Sequence, residues 1–154
     1  MSLFSALGNY ERVYLPYLEQ FNFYDGRQEW LRSIRDVPVR AVHLFAVHWL
    51  HSEVCNGGFW QYFHNSTGTS APEAVDGFAA IGMPEVSALI ANAMKKLGEP
   101  YPGEKEKRVE IVGARDNRMD FDELDRAFYD LAATSDFSRE PPKFVAFADR
   151  YASA

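Results

Sequence analysis

The sequence predicts an all-α fold: a single-domain helical bundle of six to eight helices over residues 1–154, not a coiled coil. Three observations predict it. Apolar residues recur at three- and four-residue spacing in most segments, helix start and stop signals punctuate the chain, and 15% of the 154 residues are aromatic. A chain of this length fits one domain with a sizeable core, and 47% apolar with 25% charged residues is ordinary for a globular protein.

Each element has its own justification. Tyr10 to Phe23 is apolar and aromatic, but Pro16 breaks or kinks a helix there, and Asp25-Gly26 marks a turn. Trp30, Leu31 and Ile34 keep the spacing of a short amphipathic helix that ends before Pro38, a residue suited to the first turn of the next one. That next helix covers about 39–55. Drawn as a wheel, it gathers Val39, Val42, Ala46, Val47, Trp49, Leu50 and Val54 into an arc of about 160°. Glu53 falls inside the arc, whereas Arg40, His48, His51, Ser52 and Cys55 fall opposite. The expectation is one carboxylate in an apolar face, with the histidines nearer solvent.

Ser70-Ala71-Pro72-Glu73 reads as a capping box opening a helix through Val75, Phe78 and Ala79 to Gly82. Pro84-Glu85 opens another, closed by Lys95-Lys96 before Gly98, with acid at its start and bases at its end. Glu99 to Gly103 is a Pro/Gly loop, and Arg108 to Gly113 suits either a short helix or a short strand. Asp120-Phe121-Asp122-Glu123 caps a helix in which Phe121, Leu124, Phe128 and Leu131 keep helical spacing. The last helix begins near Pro141-Pro142 and presents Phe144, Val145, Phe147, Ala148 and Tyr151.

Charge narrows the function classes. Net charge is −6, from 16 bases and 22 acids. Residues 41–94 contain no Lys or Arg, and residues 116–136 carry seven acids against Arg118 and Arg126. Direct nucleic-acid binding needs bases that release phosphate counterions, so this distribution argues against it and suits a basic protein partner. Asp116, Asp120, Asp122, Glu123, Asp125 and Asp130 are the candidate acidic surface, joined by Glu73, Asp76 and Glu85. Helical spacing sets Asp122, Asp125 and Asp136 toward one side. The charge-free run from Val54 to Pro72 carries too many amides, hydroxyls and glycines to span a membrane. A single cysteine, Cys55, and the absence of an N-terminal basic-then-apolar pattern lead us to expect a cytoplasmic location.

The densest chemistry lies between Glu53 and Gly68. Asn56-Gly57-Gly58 interrupts the helical pattern with backbone geometry that side chains obstruct, which marks a helix–turn–helix corner at about 39–66. Metal chemistry is poorly served: His48 and His51 share a side, but Glu53 points elsewhere and the spacing is not His-Glu-x-x-His. No metal and no cofactor is expected. Cys55 lies one turn from His51, yet nothing orients the pair as a nucleophile and base, so no catalytic residue is assigned. An amide–carboxylate set remains, formed by Glu53, Asn56, Gln61 and Asn65, with Phe59 and Tyr62 beside it. Two readings stand: the set locks the corner, with Glu53 taking the free amides of the second helix, or it forms a polar pocket for a small ligand or peptide.

The run Glu53-x-x-Asn56-Gly57-Gly58-Phe59-x-Gln61-Tyr62-Phe63-x-Asn65-Ser66-x-Gly68 resembles the signature of a bacterial helical family, long catalogued as a domain of unknown function, whose best-known role is double-stranded DNA mimicry. The resemblance extends through Ala74, Phe78 and Ile81-Gly82 to Leu124-Asp125-x-x-Phe128-Tyr129, roughly residues 40–135. It implies an α-helical protein whose carboxylates imitate phosphates and occupy a DNA-binding protein. The signature itself is built from aromatic, glycine and amide residues, which make corners rather than imitate phosphates. The combined expectation is a non-catalytic acidic protein acting by protein–protein interaction, as a monomer or homodimer, with the small-ligand or peptide pocket at Gly57-Gly58 as the alternative.

Overall fold

The computed structural model describes residues 9–133 and 140–154, and among these it contains eight α-helices and no strand. Asp136 lies outside the described residues. The helices are α1 (Glu11–Tyr14), α2 (Arg27–Ile34), α3 (Val39–His64), α4 (Ala71–Ala80), α5 (Pro84–Lys95), α6 (Lys105–Val112), α7 (Asp122–Ala132) and α8 (Lys143–Ser153). Short 3-10 turns cover Leu15–Tyr17, Ser66–Ser70 and Arg115–Asn117. Pro16 stands where α1 gives way to the first of these, because proline supplies no N–H to continue an α-helical ladder. The 108–113 segment, open between helix and strand on sequence grounds, is helical up to Val112.

Helix α3 is the axis of the bundle. It packs against α1, α4, α6, α7 and α8, and its Ala41, Leu44, Phe45, Ala46, Val47, Leu50 and Val54 are buried. The single apolar arc drawn on the wheel is therefore too narrow. The side assigned to solvent is partly covered from the two ends of the chain: His48 Nδ1 and the Tyr10 hydroxyl share a 2.8 Å hydrogen bond and the His51 ring lies 4.4 Å from that of Phe144, while Ser52 and Cys55 are exposed as expected. Val39, placed in the apolar arc, is exposed at the first residue of the helix.

Aromatic rings fill the interior. Phe21, Phe23, Trp30 and Phe45 stack at one end, while Phe59, Phe63, Phe121 and Phe128 meet at the other. Large rings such as these each bury enough apolar area to dominate the core energetics of a chain this size.

The predicted capping box at α4 does not form. Ser70 Oγ donates to Thr67 O at 2.7 Å, and Glu73 turns inward to Arg27 and Trp30 Nε1, which donates to its Oε1 at 2.6 Å. A charge-assisted pairing in a half-buried setting outcompetes a local backbone cap.

Candidate functional site

The helical ladder of α3 is broken at two residues. Gly57 adopts φ −152° and ψ 21°, and Gly58 adopts φ 74° and ψ −178°. The left-handed φ at Gly58 penalises any side chain, and a Cβ there would stand 2.4 Å from Asp125 Oδ2. A Cβ on Gly57 would stand 2.1 Å from Gln61 Oε1. The double glycine thus lets two helix segments meet at an angle while α7 and the Gln61 side chain press against the turn.

Glu53 sits one turn before the break and is half-buried. Its Oε2 accepts from Gln61 Nε2 at 2.7 Å and from Asn65 Nδ2 at 2.9 Å, while its Oε1 accepts from Thr67 Oγ1 at 3.2 Å. Asn56 Nδ2 donates to Gln61 Oε1 at 3.0 Å, completing the chain of amides. Asn65, expected on the second helix, lies just beyond its end with extended backbone at φ −90° and ψ 168°, yet still reaches the carboxylate. Phe59 and Tyr62 are fully buried and belong to the core, with the Tyr62 hydroxyl 3.4 Å from Ser70 Oγ.

The free backbone amide at the start of the second segment is taken by a different acid than the sequence suggested. Phe59 N donates to Asp125 Oδ1 at 2.8 Å, so α7 supplies the cap and Glu53 binds side-chain amides instead. Burial pushes the Asp125 carboxyl above the usual carboxylate range, against the lowering effect of the Phe59 N–H.

Arg108 was given no role by the sequence. It is fully buried, and its guanidinium donates to Phe63 O at 3.0 Å, Asn65 O at 3.0 Å and Gly103 O at 2.7 Å. Two of these carbonyls close the second segment of α3, where the helix dipole favours a cation. A Cβ on Gly68 would stand 2.7 Å from Arg108 Nε, which explains the glycine that ends the signature. The sequence offers no signal for Arg108 beyond its place at the start of the ambiguous 108–113 segment, after Lys107 and before Val109.

Beside the corner opens a cleft of about 940 Å³, lined by residues of α1, α3 and α8 and of the Pro141-Pro142 turn, and including Glu53, Gln61 and Asn65. His51 Nε2 lies 3.4 Å from Cys55 Sγ on its wall. Burial pushes His51 down to about 4, so at neutral pH it is an uncharged, weak base for the thiol. Among the described residues no group of three or more His, Cys, Asp or Glu side chains is arranged to hold a metal ion.

The candidate acids divide. Asp116, Asp120, Asp122, Glu123 and Asp130 are exposed along the 116–122 loop and α7, and Asp76 and Glu85 are exposed on α4 and α5. Asp125 and Glu73 face inward and serve the fold. No described helix is long and apolar enough to cross a membrane.

No curated protein and no solved structure matches the chain. The sequence model of the family described as DMP19-like protein matches residues 35–151, which takes in the corner, the buried Arg108 and the acid-bearing helices. The chain belongs to the DMP19-like protein family, the DNA-mimic family that its signature resembles.

Proposed function

We propose that the protein acts without catalysis, as a mimic of double-stranded DNA that occupies a basic DNA-binding protein. The observation that carries this reading is the run of exposed carboxylates Asp116, Asp120, Asp122, Glu123 and Asp130 in a chain of this family. The ion pairs Arg27–Glu73 and Arg32–Glu29 involve none of them. Helices α4, α5 and α7 pack in series, so Asp76 and Glu85 stand on elements continuous with the run. Asp122 and Asp130 are separated by about two helical turns, some 12 Å along the axis, which leaves each carboxylate its own contact on a basic surface.

Such a surface steers a partner electrostatically, and its reach shrinks with a Debye length of about 10 Å at 0.1 M salt. The test is competition. A DNA-binding protein captured from the source cell on the immobilised chain is bound to labelled duplex DNA, and the chain is titrated in. Release of the duplex, weakening steeply with salt, supports mimicry. Simultaneous binding of duplex and chain contradicts it.

A further inference from the structure

Helices α4 and α5 frame an apolar groove of about 350 Å³. Pro72, Val75 and Asp76 of α4, and Ala91, Met94 and Lys95 of α5, each keep the three- and four-residue spacing of one helix face, so each helix turns a single stripe toward it. The chain then reverses at Gly98, whose φ of 125° suits glycine, and this brings Glu99 and Tyr101 into the lining. The Tyr101 hydroxyl donates to Gly68 O at 2.6 Å, which fixes the ring in place. Among the described residues nothing lies within 4 Å of where a Cβ on Gly98 would stand, so that end of the groove is open.

Pro72, Val75, Ala91, Met94 and Tyr101 are half-buried and make the lining apolar, while Asp76, Glu99 and Lys95 are exposed at its edge, two carboxylates to one ammonium. We propose that the groove receives one large apolar side chain, such as Phe, Leu or Met, from a protein segment that carries Lys or Arg on either side of it. The basic character of this partner rests on the function proposed above, whereas the apolar anchor does not. A volume near the lower end of small-ligand pockets suits a single side chain, and partner anchors lodge in pockets of this kind. Asp76 stands on α4, which packs on α5 and through it on α7, so the groove adjoins elements that carry the exposed acids. A row of carboxylates attracts any basic surface, and an apolar anchor selects among such surfaces.

The test is methionine-methyl NMR on the full chain. The Met94 methyl, assigned with Met94→Leu, reports on the groove, and Met83 and Met119, which do not line it, are internal references. Capped Lys-Phe-Lys is the probe, with capped Lys-Ala-Lys, capped Glu-Phe-Glu and phenethylamine beside it. Lys-Phe-Lys is expected to shift the Met94 methyl with a Kd of about 1 mM, and the other two peptides to bind at least about fivefold more weakly. Asp76→Lys is expected to weaken Lys-Phe-Lys about fivefold, whereas Glu110→Lys, the same charge change on α6 outside the lining, leaves it unaltered. Ala91→Phe fills the groove and is expected to abolish the peptide-induced shift; where it lowers the melting temperature, Asp76→Lys at an exposed position decides the matter. No Met94 shift, or equal binding by Lys-Ala-Lys or Glu-Phe-Glu, overturns the proposal. So does phenethylamine binding as tightly as the peptide, which marks a small molecule as the occupant, or a Met94 shift with protein concentration alone, which marks a second copy. No duplex DNA enters this test, so mimicry can fail in the competition experiment while the groove still binds its peptide, and the reverse.

Discussion

Asp125 on α7 caps the helix that restarts at Phe59, its Oδ1 accepting the Phe59 backbone N–H at 2.8 Å. The contact spans 66 residues of sequence and requires Gly58 to bear no side chain. It also separates two effects, a hydrogen bond that favours the ionised carboxyl and a burial that opposes it.

Asp125→Ala is expected to lose about 1 kcal/mol of stability, the usual cost of a lost N-cap. Asp125→Asn keeps an acceptor and removes the half-buried charge, so it is expected to match or exceed the parent at neutral pH. Urea unfolding of the two variants checks this. Equal losses in both would show that the charge, not the cap, matters. Gly58→Ala is expected to cost at least as much as Asp125→Ala, because it adds left-handed strain to the clash.

Replacing Arg108 by Met leaves the carbonyls of Phe63, Asn65 and Gly103 without their donor inside the core. The expected loss is about 3–5 kcal/mol, and Lys should not rescue it because an ammonium cannot reproduce the planar fork. Chemical denaturation measures both. A loss below about 1 kcal/mol would place Arg108 outside the machinery of the corner.

Glu53→Gln turns one acceptor oxygen into a donor facing the amides of Gln61 and Asn65. A loss of about 1–3 kcal/mol is expected from thermal or urea unfolding. An unchanged melting temperature would mean that the network is dispensable to the fold and reserved for binding.

Acid should loosen the terminal helices. His43, His48 and His51 all lie below the usual histidine value because burial disfavours the charged form, His51 at about 4 against 6.5. The unfolded chain then binds more protons than the folded one, so stability is present above about pH 6.5 and is lost as pH falls toward 4. For His51 the shift corresponds to roughly 3 kcal/mol over that window. Unfolding at pH 7 and pH 4 should show the loss, and His51→Gln should reduce the slope. The same slope in the variant would assign the effect to other groups.

How far the sequence revealed this molecule depends on whether an interaction is local. The double glycine is legible because the positive φ at Gly58 and the close approach of Gln61 at Gly57 have few other solutions, and the helices are legible because their spacing and punctuation agree. The wheel places Glu53 among apolar residues, whereas the side chain is half-buried and lines the same cleft as His48 and His51. The contacts that decide the rest are long-range. His48 and His51 were assigned to solvent because the wheel cannot know that the two ends of the chain return to cover part of that side. The Ser70–Glu73 pattern reads as a cap until Arg27 and Trp30, more than forty residues away, claim the carboxylate. Asp125 and Arg108 hold the corner from separate helices, and no periodicity links them to it. The acid count overstated the outward surface for the same reason, since Asp125 and Glu73 are spent on the fold.

The central claim is that exposed carboxylates of the 116–130 stretch, rather than the corner, engage a DNA-binding partner. The most direct measurement uses the variant Asp120→Asn, Asp122→Asn, Glu123→Gln and Asp130→Asn together, compared with the parent for displacement of duplex DNA from that partner. With an unchanged melting temperature, the variant is expected to displace at least about tenfold less effectively and with a shallower salt dependence. Displacement equal to the parent's at every salt concentration would contradict the account.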